Sequence, residues 1–167
     1  VNDRETSARV SIRPYKSADA EITLRIFQDA ITVTASANYT PEQVFAWARP
    51  GLRDVTEWDQ SMRGRNSYVA LVGDQMAGFS DMSSDGHIEM LFVSPRFAGQ
   101  GVAGKLLKFL EQQAQGSSAR QLTAEVSITA RPFFEVCGFH VEAEQHPIVQ
   151  GVALTNFRMT KKVYRQA

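Results

Sequence analysis

The chain has 167 residues, 43% of them apolar and 22% charged, proportions that exclude wholesale disorder and point to one domain with a core of its own. Its 18 lysines and arginines balance 18 aspartates and glutamates, which argues against a dedicated nucleic-acid or membrane-surface binder, because such proteins carry a basic excess. The single cysteine, Cys137, allows no internal disulfide, no apolar run approaches the roughly 18 residues of a membrane helix, and the first thirty residues lack a signal-peptide core, so a cytoplasmic location is the expectation.

Residues 1–9 are polar and read as a flexible tail ahead of a single domain over 10–167. A short strand spans Val10–Arg13 before Pro14. Ile22, Ile26, Phe27 and Ala30 recur at helical spacing and predict a helix over Asp19–Thr32. Thr40, Pro41 and Glu42 form a helix start: a capping hydroxyl, a proline at the first helical position, then an acid. That helix carries Val44, Phe45 and Trp47 and stops at Pro50–Gly51, and another is expected from Leu52 to Arg63. Tyr68–Val72 and Gln75–Ser80 flank Gly73–Asp74 as a hairpin, and residues 87–93 read as the third strand of the meander. Five irregular residues then lead to GQGVAG at 99–104, from which a helix runs to Gln115 on a buried stripe of Val102, Leu106, Leu107, Leu110 and Ala114. Gln121–Val126 is a strand and Thr129–Val136 a short helix stopped by Gly138. Residues 139–145 and 151–161 are two closing strands joined by a turn around His146–Pro147. The fold class is mixed α/β (α+β) around one sheet.

The glycine loop before the long helix suits an anion, because glycines admit close backbone approach and a helix N-terminus offers unpaired N–H groups. A plain tight connection that binds nothing is the bland alternative. Gly99–Lys105 satisfies G-x-x-x-x-G-K, but Leu106 stands where a phosphate loop needs Ser or Thr for magnesium. The same residues satisfy G-x-G-x-x-G, with Glu125 placed 21 positions after Gly104 as a ribose-binding acid. Against a dinucleotide site, five residues separate Val93 from Gly99, and only 63 follow Gly104.

From Glu89 to Leu107 the run EMLFVSPRFAGQGVAGKLL resembles the central motif of the GNAT N-acetyltransferase superfamily, with Gly101 and Ala103 at its small positions and Leu106–Leu107 at its leucine pair. Ala130, Phe133 and Gly138–Phe139 match the short helix after the family's next strand. The resemblance implies a single mixed, mostly antiparallel, splayed central sheet flanked by helices. It also implies acetyl-CoA as acyl donor. The pyrophosphate would lie on Ala98, Gly99, Gln100, Gly101, Val102, Ala103 and Gly104, with Lys105 adding charge. The pantetheine arm would follow the backbone of Leu91, Phe92 and Val93, opposite Ser127, Ala130, Phe133 and Phe134. Three positions depart from the pattern: Ala98 replaces an Arg or Gln (Arg96 is the compensating candidate), Ser127 an Asn, and Phe134 the Tyr that protonates the departing thiolate.

Acetyl transfer needs a neutral amine, and at a lysine-like pKa near 10.4 only about one in 2,500 is neutral at pH 7. A base is therefore expected. Glu89 is the first candidate and His87 the second, since an imidazole exchanges protons near neutral pH; solvated residues at a strand entrance are the alternative for both. The backbone N–H of Leu91 or Phe92 would stabilise charge on the thioester oxygen. For the missing acid, Cys137, Tyr39 and Tyr164 are candidates, Cys137 also reading as a buried small hydrophobe. The resemblance places acceptor recognition near Phe27, Tyr39, Phe45, Trp47, His146, Asn156 and Arg158, although the aromatics also fit a core. His87, His140 and His146 with one cysteine have no metal-ligand spacing, so no metal is expected. The expected partner is a small-molecule or peptide amine, with no nucleic acid and no membrane, and the protein a monomer or homodimer. A CoA-binding regulatory module with weakened catalysis is the alternative function, and a dinucleotide-binding protein a third.

Overall fold

The computed structural model describes residues 9–165; the tail expected over residues 1–9 lies, apart from Arg9, outside them. Ten strands and five α-helices follow in order: β1 (Val10–Pro14), α1 (Ala20–Asp29), α2 (Pro41–Ala48), α3 (Val55–Arg63), β2 (Ser67–Val72), β3 (Gln75–Asp81), β4 (His87–Ile88), β5 (Leu91–Val93), α4 (Val102–Gln115), β6 (Gln121–Ser127), α5 (Arg131–Val136), β7 (His140–Gln145), β8 (Ile148–Val149), β9 (Val152–Ala153) and β10 (Asn156–Lys162). This is a mixed α/β fold. Among the described residues no helix is long and apolar enough to cross a membrane.

The strands form two four-stranded halves, β1-β2-β3-β5 and β4-β6-β10-β7, with β8–β9 as a separate small hairpin. Pairing is antiparallel except between β4 and β6, where His87 lies beside Thr123 and Ile88 beside Ala124. Residues 87–93 are therefore not the continuous strand that their apolar character suggests. Glu89 and Met90 interrupt them, β4 joins one half, and β5 joins the other through Ser80↔Leu91, Phe79↔Phe92 and Gly78↔Val93.

Local chemistry explains most element ends. The Thr40 hydroxyl accepts the Gln43 N–H at 3.2 Å while the Gln43 side chain accepts the Thr40 N–H at 3.0 Å, closing a reciprocal cap on α2. The helix ends one residue before the anticipated Pro50, on Arg49 in the left-handed region at φ 46°. The next helix begins at Val55, not Leu52, because the Asp54 carboxylate caps it through the Glu57 N–H at 2.9 Å. After α1 the helical path widens into a π-type turn over Ala30–Thr34, which extends the predicted helix beyond Thr32. The two closing strands are separated by more than the His146–Pro147 turn: the β8–β9 hairpin intervenes, turning on Gln150 at φ 49° and Gly151 at φ 76°.

Burial of apolar faces holds the layers together. One core lies under α1–α3, with Phe27, Ile31, Trp58, Met62 and Phe79 buried. A second joins α4 and α5 to the other half through Leu107, Leu110, Leu122, Phe134, Phe139 and Met159. A smaller third places Val102 and Leu106 of α4 on Ala70 and Ala77. Gly78 lets α4 approach closely, since a Cβ there would sit 2.8 Å from the Phe92 carbonyl oxygen and 3.2 Å from Val102 Cγ1.

Candidate active site

The division between the two halves originates at Asp81, the last residue of β3. Its buried carboxylate accepts the backbone N–H of Glu89 at 2.9 Å and that of Met90 at 3.4 Å through one oxygen. Arg65 holds the other oxygen at 3.1 Å. Ser80 adds a hydroxyl bond to the Met90 carbonyl at 2.7 Å, which also accepts the Asp81 N–H at 3.2 Å. The Asp81 side chain thus takes the Glu89 and Met90 N–H groups that would continue a ladder, and the chain steps from one half to the other. Burial pushes the Asp81 carboxyl pKa up, opposed by the Glu89 N–H and Arg65.

The step leaves two free edges. Along β5, the Met90 and Phe92 carbonyls and the Ser94 N–H turn toward β3, and successive peptide groups alternate between edges. Leu91 and Val93 therefore present their N–H groups to the opening, whereas Phe92, the other oxyanion candidate, does not. Across the opening, Glu125–Ser127 of β6 lie beyond the last residue paired with β4.

Three adjoining cavities that share Trp47, Phe92 and Ser127 form a cleft along this opening. One end is lined by Ala30, Ile31, Thr34 and Ala35 of the widened turn, Leu91–Val93, Ala103 at the start of α4, Ser127, Ala130, Phe133 and Phe134. The middle is lined by Trp47, Leu91, Phe92 and Glu125–Ser127. The far end, a cavity of about 240 Å³, includes Phe27, Tyr39, Trp47, Arg53, Glu89, Phe92, Glu125 and Asn156.

At the near end, α4 starts from Gly101 at φ 78° with no side-chain cap, so its first-turn N–H groups keep no intrahelical acceptor. Gly99 is also left-handed at φ 74°, and no atom lies within 4 Å of a Cβ built on Gly99, Gly101 or Gly104. Ala98, Gly99, Gln100, Gly101 and Lys105 are exposed, Ala103 and Gly104 half-buried, and Val102 turns into the core. An anionic group has open backbone donors here, and the residues fit a phosphate. Arg96 lies on the preceding turn with its guanidinium over the Phe97 ring at 5.8 Å.

At the far end Glu89 lines the cavity with its side chain 55% exposed, free to meet a ligand. His87 stands behind it: Nε2 is 3.5 Å from the Glu89 carboxylate, and Nδ1 is 2.8 Å from the Thr123 hydroxyl. The Tyr39 hydroxyl accepts the Ile128 N–H at 2.9 Å and donates to the Thr155 carbonyl at 2.6 Å, tying the end of β6 to the start of β10. Burial holds the Tyr39 phenol above its ordinary pKa. Both hydroxyl functions are thus engaged within the protein.

The other candidates disperse. Phe45 points to solvent at 55% exposure, while Phe27, Tyr39 and Trp47 serve both core and cavity wall. Cys137 packs against the second core, where burial pushes its thiol pKa up, and does not line the cleft. Tyr164 is exposed. His146 lies 3.5 Å from Glu144, and Arg158 lies 3.4 Å from Glu142. Phe134 is buried against Phe133 and Phe139 and lines the cleft. Arg53 and Asp81 belong to no motif; the only trace of Asp81 is an acid at the end of a strand with an apolar centre. Glu125, the ribose-binding candidate of the dinucleotide reading, lines the same cavity as Glu89.

The same architecture recurs in known proteins. Residues 35–161 match the acetyltransferase (GNAT) domain family. The chain is 37% identical over 153 residues to the uncharacterized N-acetyltransferase YafP of Escherichia coli strain K12, covering 92% of this chain and 96% of that protein. A GCN5-related N-acetyltransferase from Rhodopseudomonas palustris superposes with a TM-score of 0.87 at 30% identity, over 91% of this chain and 94% of that one. The fold is shared, at 18% identity and a TM-score of 0.70, with PaiA N-acetyltransferase from Thermoplasma acidophilum, solved in complex with coenzyme A and covering 92% of this chain and 99% of that one. Together the family match and these relatives show that the chain belongs to the GNAT acetyltransferase family and is an acyltransferase.

Proposed function

We propose that this protein transfers the acetyl group of acetyl-CoA directly to an amine, without a covalent enzyme intermediate. The observation that carries the reading is the row of adjoining cavities, sharing Trp47, Phe92 and Ser127, that extends from Ala103 at the start of α4, along the free edge of β5, to Glu89. The thioester supplies an acyl group already activated for attack. The N–H groups at the start of α4 hold the phosphates, and Leu91 and Val93 hold the pantetheine arm. Glu89 takes a proton from the incoming ammonium, directly or through water, and His87 with Thr123 orients the carboxylate. The Leu91 N–H is the donor for negative charge developing on the carbonyl oxygen. Nitrogen then forms its bond to the acetyl carbon as the carbon–sulfur bond breaks, and the second proton lost from nitrogen passes to solvent. Phe134 offers no proton, so solvent protonates the departing thiolate.

The buried, hydroxyl-free Phe134 also supports a second reading, a CoA-binding regulatory module with weakened catalysis. One experiment separates the two. Thermal unfolding is followed with saturating acetyl-CoA, CoA, ATP and NAD, and CoA release is then measured with an amine panel. A ligand at 100 times its Kd stabilises by about 2.7 kcal/mol, a shift of roughly 5–10 °C at this chain length. Shifts with the CoA species alone, plus amine-dependent CoA release, are the expected result. Shifts without turnover favour the module, and a larger shift with NAD overturns both.

A further inference from the structure

We propose that the acceptor is a small amphoteric amine, carrying a carboxylate as well as its amino group on a compact apolar body, and that Arg53 binds that carboxylate; this rests on the acetyl-transfer reading above. Arg53 shares the wall of the far cavity with Glu89 and Glu125. Its guanidinium is held in place: Nε donates to the Ala48 carbonyl at 3.2 Å, a terminal nitrogen donates to the Trp47 carbonyl at 2.8 Å, and the group lies 4.7 Å over the Phe27 ring. These bonds use two of the five N–H donors of a guanidinium.

No carboxylate among the described residues is in ion-pair contact with the guanidinium. Arg53 belongs to none of the ion pairs among the described residues. Burial and the neighbouring Arg49 both disfavour its charged form. A half-buried cation without a counter-ion favours an anionic ligand, and a fixed guanidinium fork matches a carboxylate.

The rest of the cavity fits the other parts of such a molecule. Glu89 and Glu125 draw an ammonium group. The buried Asn156 Oδ1 has no hydrogen-bond partner and can accept an amine N–H. Phe27, Tyr39, Trp47 and Phe92 offer aromatic walls for an apolar body. The volume of about 240 Å³ falls below the roughly 300–1,000 Å³ of drug-sized sites, which favours a compact acceptor. A diamine would satisfy the carboxylates but bring a second cation to Arg53, and a simple monoamine would leave Arg53 unpaired.

The test compares phenylalanine with phenethylamine, leucine with isopentylamine, and 1,4-diaminobutane. Binding is read as the thermal stabilisation each adds to the CoA-saturated protein, and turnover as CoA release from acetyl-CoA. Each amino acid is expected to exceed its decarboxylated partner at least tenfold in kcat/KM and to add more stabilisation. Arg53→Gln is expected to bring that ratio close to one, and Arg53→Lys to retain part of it. Dividing the wild-type ratio by the variant ratio cancels differences in amine basicity. Equal or better performance by the monoamines or the diamine overturns the proposal, as does an undiminished ratio in Arg53→Gln. If Arg53→Gln does not fold, the wild-type ratios alone decide. Absence of any shift with CoA itself overturns the acetyl-transfer reading instead.

Discussion

Asp81 Oδ1 accepts the backbone N–H of Glu89 at 2.9 Å, so the residue that ends β3 also fixes the backbone of the candidate base. The same carboxylate binds Arg65 through its other oxygen at 3.1 Å. Arg65 in turn reaches the sulfur atoms of Met62 and Met90 at 3.5 and 3.6 Å. This buried network holds the step at 89–90, and the opening between β5 and β6 depends on that step. Replacing Asp81 with alanine leaves the Glu89 N–H and the partly buried Arg65 guanidinium without a partner. Breaking a buried pair in this way costs about 3–5 kcal/mol, which lowers Tm by roughly 6–20 °C. Thermal unfolding checks this; an Asp81→Ala protein as stable as the wild type would remove Asp81 from its positioning role.

Glu89→Gln is expected to lower kcat by about 10²–10³ at pH 7, within the usual contribution of a positioned base. The thermal shift with CoA should stay unchanged, because the glutamine leaves the glycine loop and β5 intact. Raising the pH should recover part of the rate as the amine loses its own proton. His87→Gln should cost less, about tenfold, since it acts through Glu89. Steady-state pH profiles distinguish the two; full turnover by Glu89→Gln at every pH would exclude Glu89 as the base.

Burial raises the phenol pKa of both Tyr39 and Tyr15 above the ordinary value. For such a group the folded state retains its proton more tightly, so its stabilisation is complete below about pH 10. It is lost as the pH rises through the higher folded value. Stability should therefore decline on the alkaline side, and Tyr39→Phe and Tyr15→Phe should each flatten that decline. Denaturant unfolding from pH 8 to 11 measures it. Tyr39→Phe should also cost about 1–3 kcal/mol near neutrality by leaving the Ile128 N–H unpaired.

Gly78→Ala places a methyl group 2.8 Å from the Phe92 carbonyl oxygen. Either β5 or α4 must move, at a cost of about 1–3 kcal/mol. Because β5 carries Leu91 and Val93 at the open edge, acetyl-CoA binding should weaken as well. Calorimetric titration and Tm report the two effects separately, and unchanged values of both would mean the strands accommodate the methyl freely.

Much of this protein is written in contacts between sequence neighbours. Thr40 and Gln43 cap α2 three residues apart, the stripe from Val102 to Ala114 dictates the buried face of α4, and Leu122, Ala124 and Val126 alternate into the core along β6. The glycine loop is equally local, since left-handed backbone at Gly99 and Gly101 belongs to the residues themselves. These features suffice to mark the candidate anion-binding end and the family resemblance. The other end is not local. Nothing in HIEMLFV indicates a break after Ile88, because the carboxylate that imposes it lies eight residues earlier, on another strand. Tyr39 meets Ile128 across 89 residues and Thr155 across 116, and Arg53 meets Glu89 only as a wall of the same cavity. Local propensity and periodicity therefore determined the elements and the glycine loop. The opening of the sheet, the order of Glu89 in front of His87, and the charges lining the far cavity were decided only by tertiary structure, because each depends on buried hydrogen bonds or charges brought together by packing.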